Sequence, residues 1–125
     1  MLLNLTNHPV PLWPEVQRTE AERRWGSISD LPFPAVDPDC PTCEVIAQAR
    51  EIVRRASALN PSAVLCQGEM TMTVALVRCF QMEGIPVYAA CSHREVTEQK
   101  EKDGTVRKNS RFCFVQFREY PKFES

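Results

Sequence analysis

The chain has 125 residues, of which 43% are hydrophobic and 25% charged, and its formal net charge is −1. This length fits a single domain with its own hydrophobic core, and the small net charge excludes a general attraction to long nucleic acids or anionic membranes. The sequence has no apolar run of the roughly 18–20 residues that a membrane span needs, and its first ten residues lack the positive region of a signal peptide.

The N-terminal half alternates short apolar segments with longer amphipathic ones. Residues 2–6 predict a buried parallel strand, and residues 14–25 predict a helix that ends at Gly26. Residues 27–33 predict a second strand, and after a proline-rich loop residues 40–59 predict a second helix. The positions expected to be buried in these helices are Val16, Ala21 and Trp25 in the first and Val45, Ile46, Ala49, Ile52, Val53 and Ala56 in the second.

The central segment, residues 62–92, has the pattern of a strand, a helix and a second strand joined by tight turns. Residues 63–66 are short and apolar, Gly84 ends the helix, and residues 87–90 are apolar again. The apolar positions that recur at helical spacing between them are Met70, Val74, Val77 and Met82. Such a βαβ unit is typical of parallel sheets, in which ligands bind beyond the carboxyl ends of the strands.

The C-terminal segment predicts a β-hairpin. Residues 94–100 and 106–120 have extended patterns and flank Asp103-Gly104, which is a strong turn signal. Apolar side chains fall on both faces of the second arm, which predicts that part of this strand is well buried. Residues 121–125 predict a flexible tail that follows a single domain of residues 1–120.

The order of these elements predicts an α/β fold, a three-layer Rossmann-like parallel sheet with a C-terminal antiparallel β-hairpin. Right-handed crossovers place the first four strands in one parallel sheet, which the hairpin extends at one edge. In such a sheet the turns that follow the first, third and fourth strands lie along the same edge.

Six cysteines are present, and four of them lie within predicted apolar elements: Cys66, Cys79, Cys91 and Cys113. Because free cysteine behaves there as a small hydrophobe, we expect reduced thiols and a cytoplasmic protein rather than a secreted disulfide scaffold. Cys40 and Cys43 form a CxxC at a predicted helix start, where a helix dipole lowers a thiol pKa, so a thiol-redox function stays open. No second CxxC or HxxxH supplies further zinc ligands, and we expect neither a metal nor another cofactor.

Chemically active side chains occur at three predicted strand ends. These candidate residues are Thr6, Asn7 and His8; Gln67, Gly68, Glu69, Met70 and Thr71; and Ser92, His93 and Arg94. The turn 67–71 opens a helix, whose unpaired N–H groups and positive dipole end can hold a phosphate or carboxylate. Either histidine can exchange protons near neutral pH, and Arg94 is suited to bidentate phosphate recognition.

Each of these turns also has a purely structural interpretation. Gly68 can serve only the turn, while Glu69 satisfies the helix dipole as a first-turn acid and opposes a phosphate by its own charge. Residues 7–8 can stabilise a loop, and residues 92–94 can be solvated parts of a hairpin. The sequence contains neither GxGxxG nor a P-loop, so it offers no motif for dinucleotides or nucleoside triphosphates.

Three segments, LLNLTNHP at the start, CQGEMT before the third helix and FVQFREY near the end, resemble a small CRISPR-associated protein. In element order the chain is similar to the compact single-domain relatives of the CRISPR-associated Rossmann-fold (CARF) sensors, among them the stand-alone ring nucleases of type III systems. This resemblance implies a homodimer that binds a cyclic oligoadenylate in a cleft across the two-fold axis, in antiviral defence.

Ring nucleases of this family work without a metal, by placing a ribose 2′-hydroxyl in line with its own phosphate, and leave a 2′,3′-cyclic phosphate. The resemblance implies that Arg94 stabilises the phosphate, that His8 or His93 moves protons, and that Thr71 orients the backbone. Two other functions remain open for this chain: a non-catalytic sensor or adaptor that uses the same face, and a thiol-redox protein.

Overall fold

The computed structural model describes residues 1–123 of the protein. Its elements are β1 (Leu2–Thr6), a short 3-10 helix (Val10–Leu12), α1 (Glu15–Trp25), β2 (Ile28–Asp30), α2 (Thr42–Ser57), β3 (Ala63–Gln67), α3 (Met70–Met82), β4 (Val87–Lys100) and β5 (Val106–Glu119). Of the predicted tail, the carbonyl oxygen of Pro121 accepts a 3.2 Å hydrogen bond from the Gln81 side chain, while Glu124 and Ser125 lie outside the described residues. No helix within residues 1–123 is long and apolar enough to cross a membrane.

The strands form one mixed five-stranded sheet in the order β2-β1-β3-β4-β5. The first four strands are parallel and β5 pairs with β4 in the antiparallel sense, as the sequence predicts. The protein therefore has an α/β architecture that is compatible with a Rossmann-like fold. The strand order reverses between β1 and β3, and the carboxyl end of this pair is the place where open parallel sheets form a crevice.

Helices cover both faces of the sheet. Alternate residues of β1 point to opposite faces, so Leu2 joins a cluster with Trp13 and Ala21 on the α1 side. Leu3 and Leu5 join the larger cluster under α2 and α3. All five residues of β1 are buried, which makes it the centre of the molecule.

The buried lines of α1 and α3 differ from those expected from the sequence. In α1 Ala21 is buried and Trp25 half-buried, as predicted, but Val16 is 66% exposed, because the line that faces the sheet passes through Gln17 and Ala21. Of the predicted positions in α3, Met70, Val74 and Met82 are exposed and Val77 is half-buried against the core, whereas the buried residues are Met72, Leu76 and Phe80. Apolar residues occur on both sides of α3, so their spacing alone selects the wrong face. In α2 five of the six predicted positions are buried, and Ile46 is 38% exposed.

Two strands also have bounds other than those predicted. β2 has only three residues, since the prolines after it end the pairing with β1. β4 continues without interruption to Lys100, so Ser92-His93-Arg94 lies within a strand and not at a strand end. It pairs with β3 only at Val87 and Tyr88, and farther along it pairs with β5 alone.

Residues 92–114 thus form a two-stranded ribbon that leaves the sheet at its carboxyl edge, which we term the β-arm. Each of its strands has about nine residues, so it extends about 30 Å. The expectation that part of the second arm of the hairpin is well buried is met at Phe117, where β5 belongs to the sheet. Phe117 is buried, whereas Phe112 is 69% and Val115 50% exposed.

Candidate functional site

The sheet register brings two of the predicted turns together at the carboxyl edge. Thr6 is the Cα partner of Gln67, so Asn7 and Gly68 are the next residues out on neighbouring strands. Gln67 in turn contacts Ala90 on β4. The ends of β1 and β3 therefore lie next to each other as the sequence predicts, and the root of the β-arm follows them in place of the predicted end of the fourth strand.

The loop after β1 is held by a network of buried polar groups. The Thr6 hydroxyl donates to Asn4 Oδ1 (2.9 Å) and accepts from the His8 backbone N–H (3.1 Å). The His8 carbonyl oxygen accepts 2.8 Å bonds from both Asn4 Nδ2 and the Trp13 indole N–H. Thr6 is 7% exposed, so its hydroxyl serves this loop, while the Asn7 and His8 side chains remain exposed at the edge.

Asn4 and Asp30 belong to this network although the sequence reasoning did not select them. Asn4 is 1% exposed and donates a 2.8 Å bond from Nδ2 to Asp30 Oδ1. The same carboxylate accepts the backbone N–H of Val10 at 3.1 Å. An asparagine inside an otherwise apolar strand is a detectable signal, because a buried amide needs partners.

The Gln67 side chain continues the contact between β3 and β4 beyond their last backbone pair, Leu65 with Tyr88. Its side-chain amide accepts the Ala90 N–H at Oε1 (2.9 Å) and donates from Nε2 to the Ala90 carbonyl oxygen (3.3 Å). This pair of bonds is the pattern that a neighbouring backbone would make. Gln67 thus fixes the point where β4 leaves the sheet.

Gly68 is in close contact with an aromatic ring from the proline-rich loop. A Cβ atom at this position would lie 2.5 Å from Cε1 of Phe33, so only glycine fits. Phe33 packs against the core cluster under α2 and α3. The Phe33 ring therefore fills the space that a side chain at position 68 would need, on the side of the sheet covered by α2 and α3.

Glu69 caps the N-terminus of α3. Its carboxylate accepts the backbone N–H groups of Thr71 (3.1 Å) and Met72 (2.8 Å) together with the Thr71 hydroxyl. These bonds, the Met72 N–H first, lower the pKa of Glu69 below its ordinary value. Two of the N–H groups that could receive an external anion are therefore bonded to a carboxylate of the chain itself.

Met70 and Thr71 lie where the start of α3 faces α2. Met70 is 80% exposed and lines an open groove of about 1350 Å³ between α2 and α3, together with Ile46 and Val74. Arg50 and Arg78 also line this groove. The apolar residues exposed along α3 are concentrated there.

Ser92, His93 and Arg94 are exposed residues on the root of the β-arm. A β-bulge between Cys91 and Ser92 changes the register, so that Ser92 pairs with Phe114 and Arg94 with Phe112. Because side chains alternate along a strand, Ser92 and Arg94 point to one face of the arm and His93 to the other. The arm root therefore offers one histidine and one arginine on opposite faces, and β3 separates it from the exposed side chains of residues 7–8 at the end of β1.

The cysteines differ in environment, and none is disulfide-bonded among the described residues. Burial raises the pKa of the Cys66 thiol to about 12, so this thiol is protonated at neutral pH. Partial burial, followed by the nearby carboxylates of Glu44 and Asp37, also raises the pKa of Cys40. A redox CxxC needs a lowered pKa, and the CxxC of this chain has the opposite environment at Cys40.

Within residues 1–123 no three His, Cys, Asp or Glu side chains come together in a group that could hold a metal ion. The fold and the site together define a small α/β protein with exposed polar side chains at the carboxyl edge of a mixed sheet. A family model described as "Uncharacterized protein MJ1673 family" matches residues 1–118, and the chain belongs to this family. None of the curated proteins matches the chain.

Proposed function

We propose that the protein binds a small phosphodiester ligand of the cyclic oligoadenylate class at the carboxyl edge of its sheet. The observation that carries this proposal is the register of β1, β3 and β4, which aligns residues 7–8 with the root of the β-arm. His8, His93 and Arg94 are exposed along this edge and can donate hydrogen bonds to phosphate oxygens. A CARF-like role as a sensor or adaptor in type III CRISPR defence is the biological setting.

The polar contacts within the site indicate which groups are available to a ligand. Glu69 occupies the N–H groups of α3, so the phosphate contacts come from side chains and not from a helix N-terminus. Thr6 and Gln67 position the two turns through their own hydrogen bonds, while Asn7, Ser92 and Arg94 supply groups that face solvent. Ligand recognition therefore depends on the few polar side chains at this edge that face solvent.

A ring nuclease is the second candidate, because two exposed histidines lie at the same edge of the sheet. Metal-independent cleavage needs one group that accepts the proton of the 2′-hydroxyl and one that stabilises the phosphate. His8 can take the first role and Arg94 the second, whereas His93 points to the face of the arm away from Arg94. The products would be linear oligoadenylates with 2′,3′-cyclic phosphate ends.

One experiment separates these functions. Cyclic tetra-adenylate and cyclic hexa-adenylate are titrated into the full chain by calorimetry in the presence of EDTA, with a linear oligoadenylate as control, and the mixtures are analysed by mass spectrometry. Binding of one ring without turnover supports the sensor, and linear products support the enzyme. If neither ring binds, the proposal is wrong.

Site variants locate the ligand. His8→Ala, His93→Ala and Arg94→Ala are each expected to weaken binding by about tenfold or more, since a hydrogen bond to a charged group contributes about 1.5–3 kcal/mol. Arg107→Ala, an exposed arginine near the tip of the β-arm, is the matched control and is expected to bind as the wild type does. Equal loss in all four variants would place the ligand elsewhere.

A further inference from the structure

The two faces of the β-arm have different chemistry. On one face the cross-strand pairs are all polar or weakly polar, for example Glu95 with Arg111, whose side chains lie 3.0 Å apart, and Thr97 with Asn109. The other face carries the exposed apolar side chains Val96 (54%) and Phe112 (69%). The arm is therefore amphipathic, although no part of residues 1–123 covers its apolar face.

The apolar face continues the core cluster on the α1 side of the sheet. Tyr88 and Ala90 pack against that cluster, and the alternation of β4 places Arg94, Val96 and Glu98 on the same side. At the root of the arm, Phe114 stacks on Phe117 with ring centroids 4.8 Å apart. A two-stranded ribbon is marginally stable by itself in water, so an arm of this length with an uncovered apolar face needs a surface to pack on.

The sequence of side chains on this face is complementary to itself when reversed. Along β4 the face reads Ser92, Arg94, Val96, Glu98 and Lys100, and the paired residues on β5 read Phe114, Phe112, Ser110, Lys108 and Val106. Val96 and Ser110 form the central pair. When a second copy of this face is reversed about the central pair, Arg94 lies opposite Glu98, a cation opposite an anion. Phe114 then lies opposite Val106, an aromatic ring opposite an aliphatic side chain.

We propose that the β-arms of two copies of this chain pack face to face and antiparallel, with the two-fold axis passing at Val96. In this arrangement each Val96 meets its counterpart, and Arg94 of one copy pairs with the Glu98 carboxylate of the other. Arg94 makes no ion pair within residues 1–123, and Glu98 has only the long contact of 3.9 Å to Lys108. The same patch serves both copies, which is what a closed two-fold dimer requires.

The body of the molecule provides room for the tip of the partner arm. A groove of about 650 Å³ lies between α1 and the root of β5, lined by Val16, Glu20 and Phe114 among others. An antiparallel arm would bring its tip, with Lys100 and Val106, to this groove. The exposed side chain of Val16 then has an apolar partner, and Glu15 and Glu20, which line the groove together with Arg24, have a cationic one.

This inference does not rest on the proposed function, since it assigns Arg94 to an ion pair between copies and not to a phosphate contact. The oligomeric state of the full chain tests it. We expect sedimentation equilibrium and light scattering over a wide concentration range to give a reversible dimer for the wild type. Val96→Lys places two like charges at the two-fold axis and is expected to raise the dimer dissociation constant by about 100-fold or more. Thr97→Lys, the next residue on the polar face, is the matched control and is expected to leave the constant within about twofold.

A charge exchange tests the antiparallel register. Arg94→Glu and Glu98→Arg are each expected to weaken the dimer, because each sets like charges opposite one another across the interface. The double variant restores opposite charges and is expected to recover most of the wild-type affinity. A monomeric wild type, a dimer that survives Val96→Lys, or a Thr97→Lys variant as weak as Val96→Lys would each overturn the proposal. A monomer would assign the arm to a partner of another kind.

Discussion

In β1 all five residues are buried, whereas in the fourteen residues of β5 only Phe117 is buried. The two strands belong to one sheet but have opposite relations to the solvent. In the body of the sheet, polar groups such as Asn4 and Thr6 are satisfied within the chain. In the β-arm both the charged groups and part of the apolar surface face outward.

This difference indicates that the body and the β-arm have different roles in the molecule. The body contains both core clusters and its buried side chains bond to each other, so it can fold without a partner. The arm adds little to those clusters beyond its root and offers two chemically distinct faces instead. Stability is therefore expected to depend on the body, and recognition on the arm and on the edge from which it leaves.

The largest difference in stability between the body and the β-arm is expected when a phenylalanine is replaced in each region. Phe80→Ala removes a side chain with no exposed surface and is expected to lower the free energy of unfolding by about 3–5 kcal/mol. Phe112→Ala in the arm is expected to change it by no more than about 0.5 kcal/mol. Urea unfolding measures both, in the Val96→Lys background so that association does not contribute. Similar losses in the two variants would remove the distinction between body and arm.

Replacing an asparagine in each region tests the buried polar network. Asn4→Ala leaves the Asp30 carboxylate and the Thr6 hydroxyl without their shared partner, so a loss of about 1–3 kcal/mol is expected. Asn109→Ala, on the exposed polar face of the arm, serves as control and should unfold with the wild-type midpoint. A tolerated Asn4→Ala would mean that the loop after β1 is held by other contacts.

Gly68→Ala tests the contact that closes one side of the edge. The added Cβ atom meets the Phe33 ring, and overpacking of this kind is expected to cost about 1–3 kcal/mol. In a Phe33→Ala background the same substitution is expected to be nearly neutral, which a double-mutant cycle detects. Gly104→Ala in the arm is the contrasting case. There the cost of about 1–2 kcal/mol comes from the positive φ of 88°. No neighbouring side chain contacts this position, so no second substitution can relieve the cost.

The smallest change in stability is expected when either of two carboxylates is replaced. The pKa values of both are lowered, but for different reasons. Backbone N–H groups lower the pKa of Glu69, and the Arg111 guanidinium lowers that of Glu95. A lowered pKa means that the stabilisation is present above the ordinary carboxyl value and is lost as the pH falls through the lowered one. The advantage of the wild type over Glu69→Gln or Glu95→Gln should therefore be seen at pH 7 and vanish in acid.

High salt is expected to change the contributions of these two carboxylates to stability by different amounts. The ion pair of Glu95 is solvent-exposed, so at about 1 M salt, where the screening length falls to about 3 Å, its contribution is expected to disappear. The cap at Glu69 consists of short hydrogen bonds to the α3 backbone and should persist. Thermal melts at low and high salt give the measurement, and equal salt sensitivity would contradict the assigned causes.

Local patterns in the sequence were sufficient for the order of elements and for the edge at which the polar turns meet. Short apolar runs bounded by Gly and Pro predict β1 and β3, and Asp103-Gly104 predicts the hairpin, because these signals act within a few residues. Glu69 was also interpretable from the sequence alone as a first-turn acid. Its carboxylate does bond to the N–H groups of α3.

Only the tertiary structure decided which faces are buried and which polar groups are still exposed. The exposed line through Met70 and Val74 and the buried line through Met72 are equally helical in spacing, and contact with the sheet selects between them. The contact of Phe33 with Gly68 joins residues 35 positions apart, which no local pattern encodes. The continuous pairing of β4 with β5 likewise turns the expected strand end at residues 92–94 into the root of an arm, since strand length depends on the partner strand.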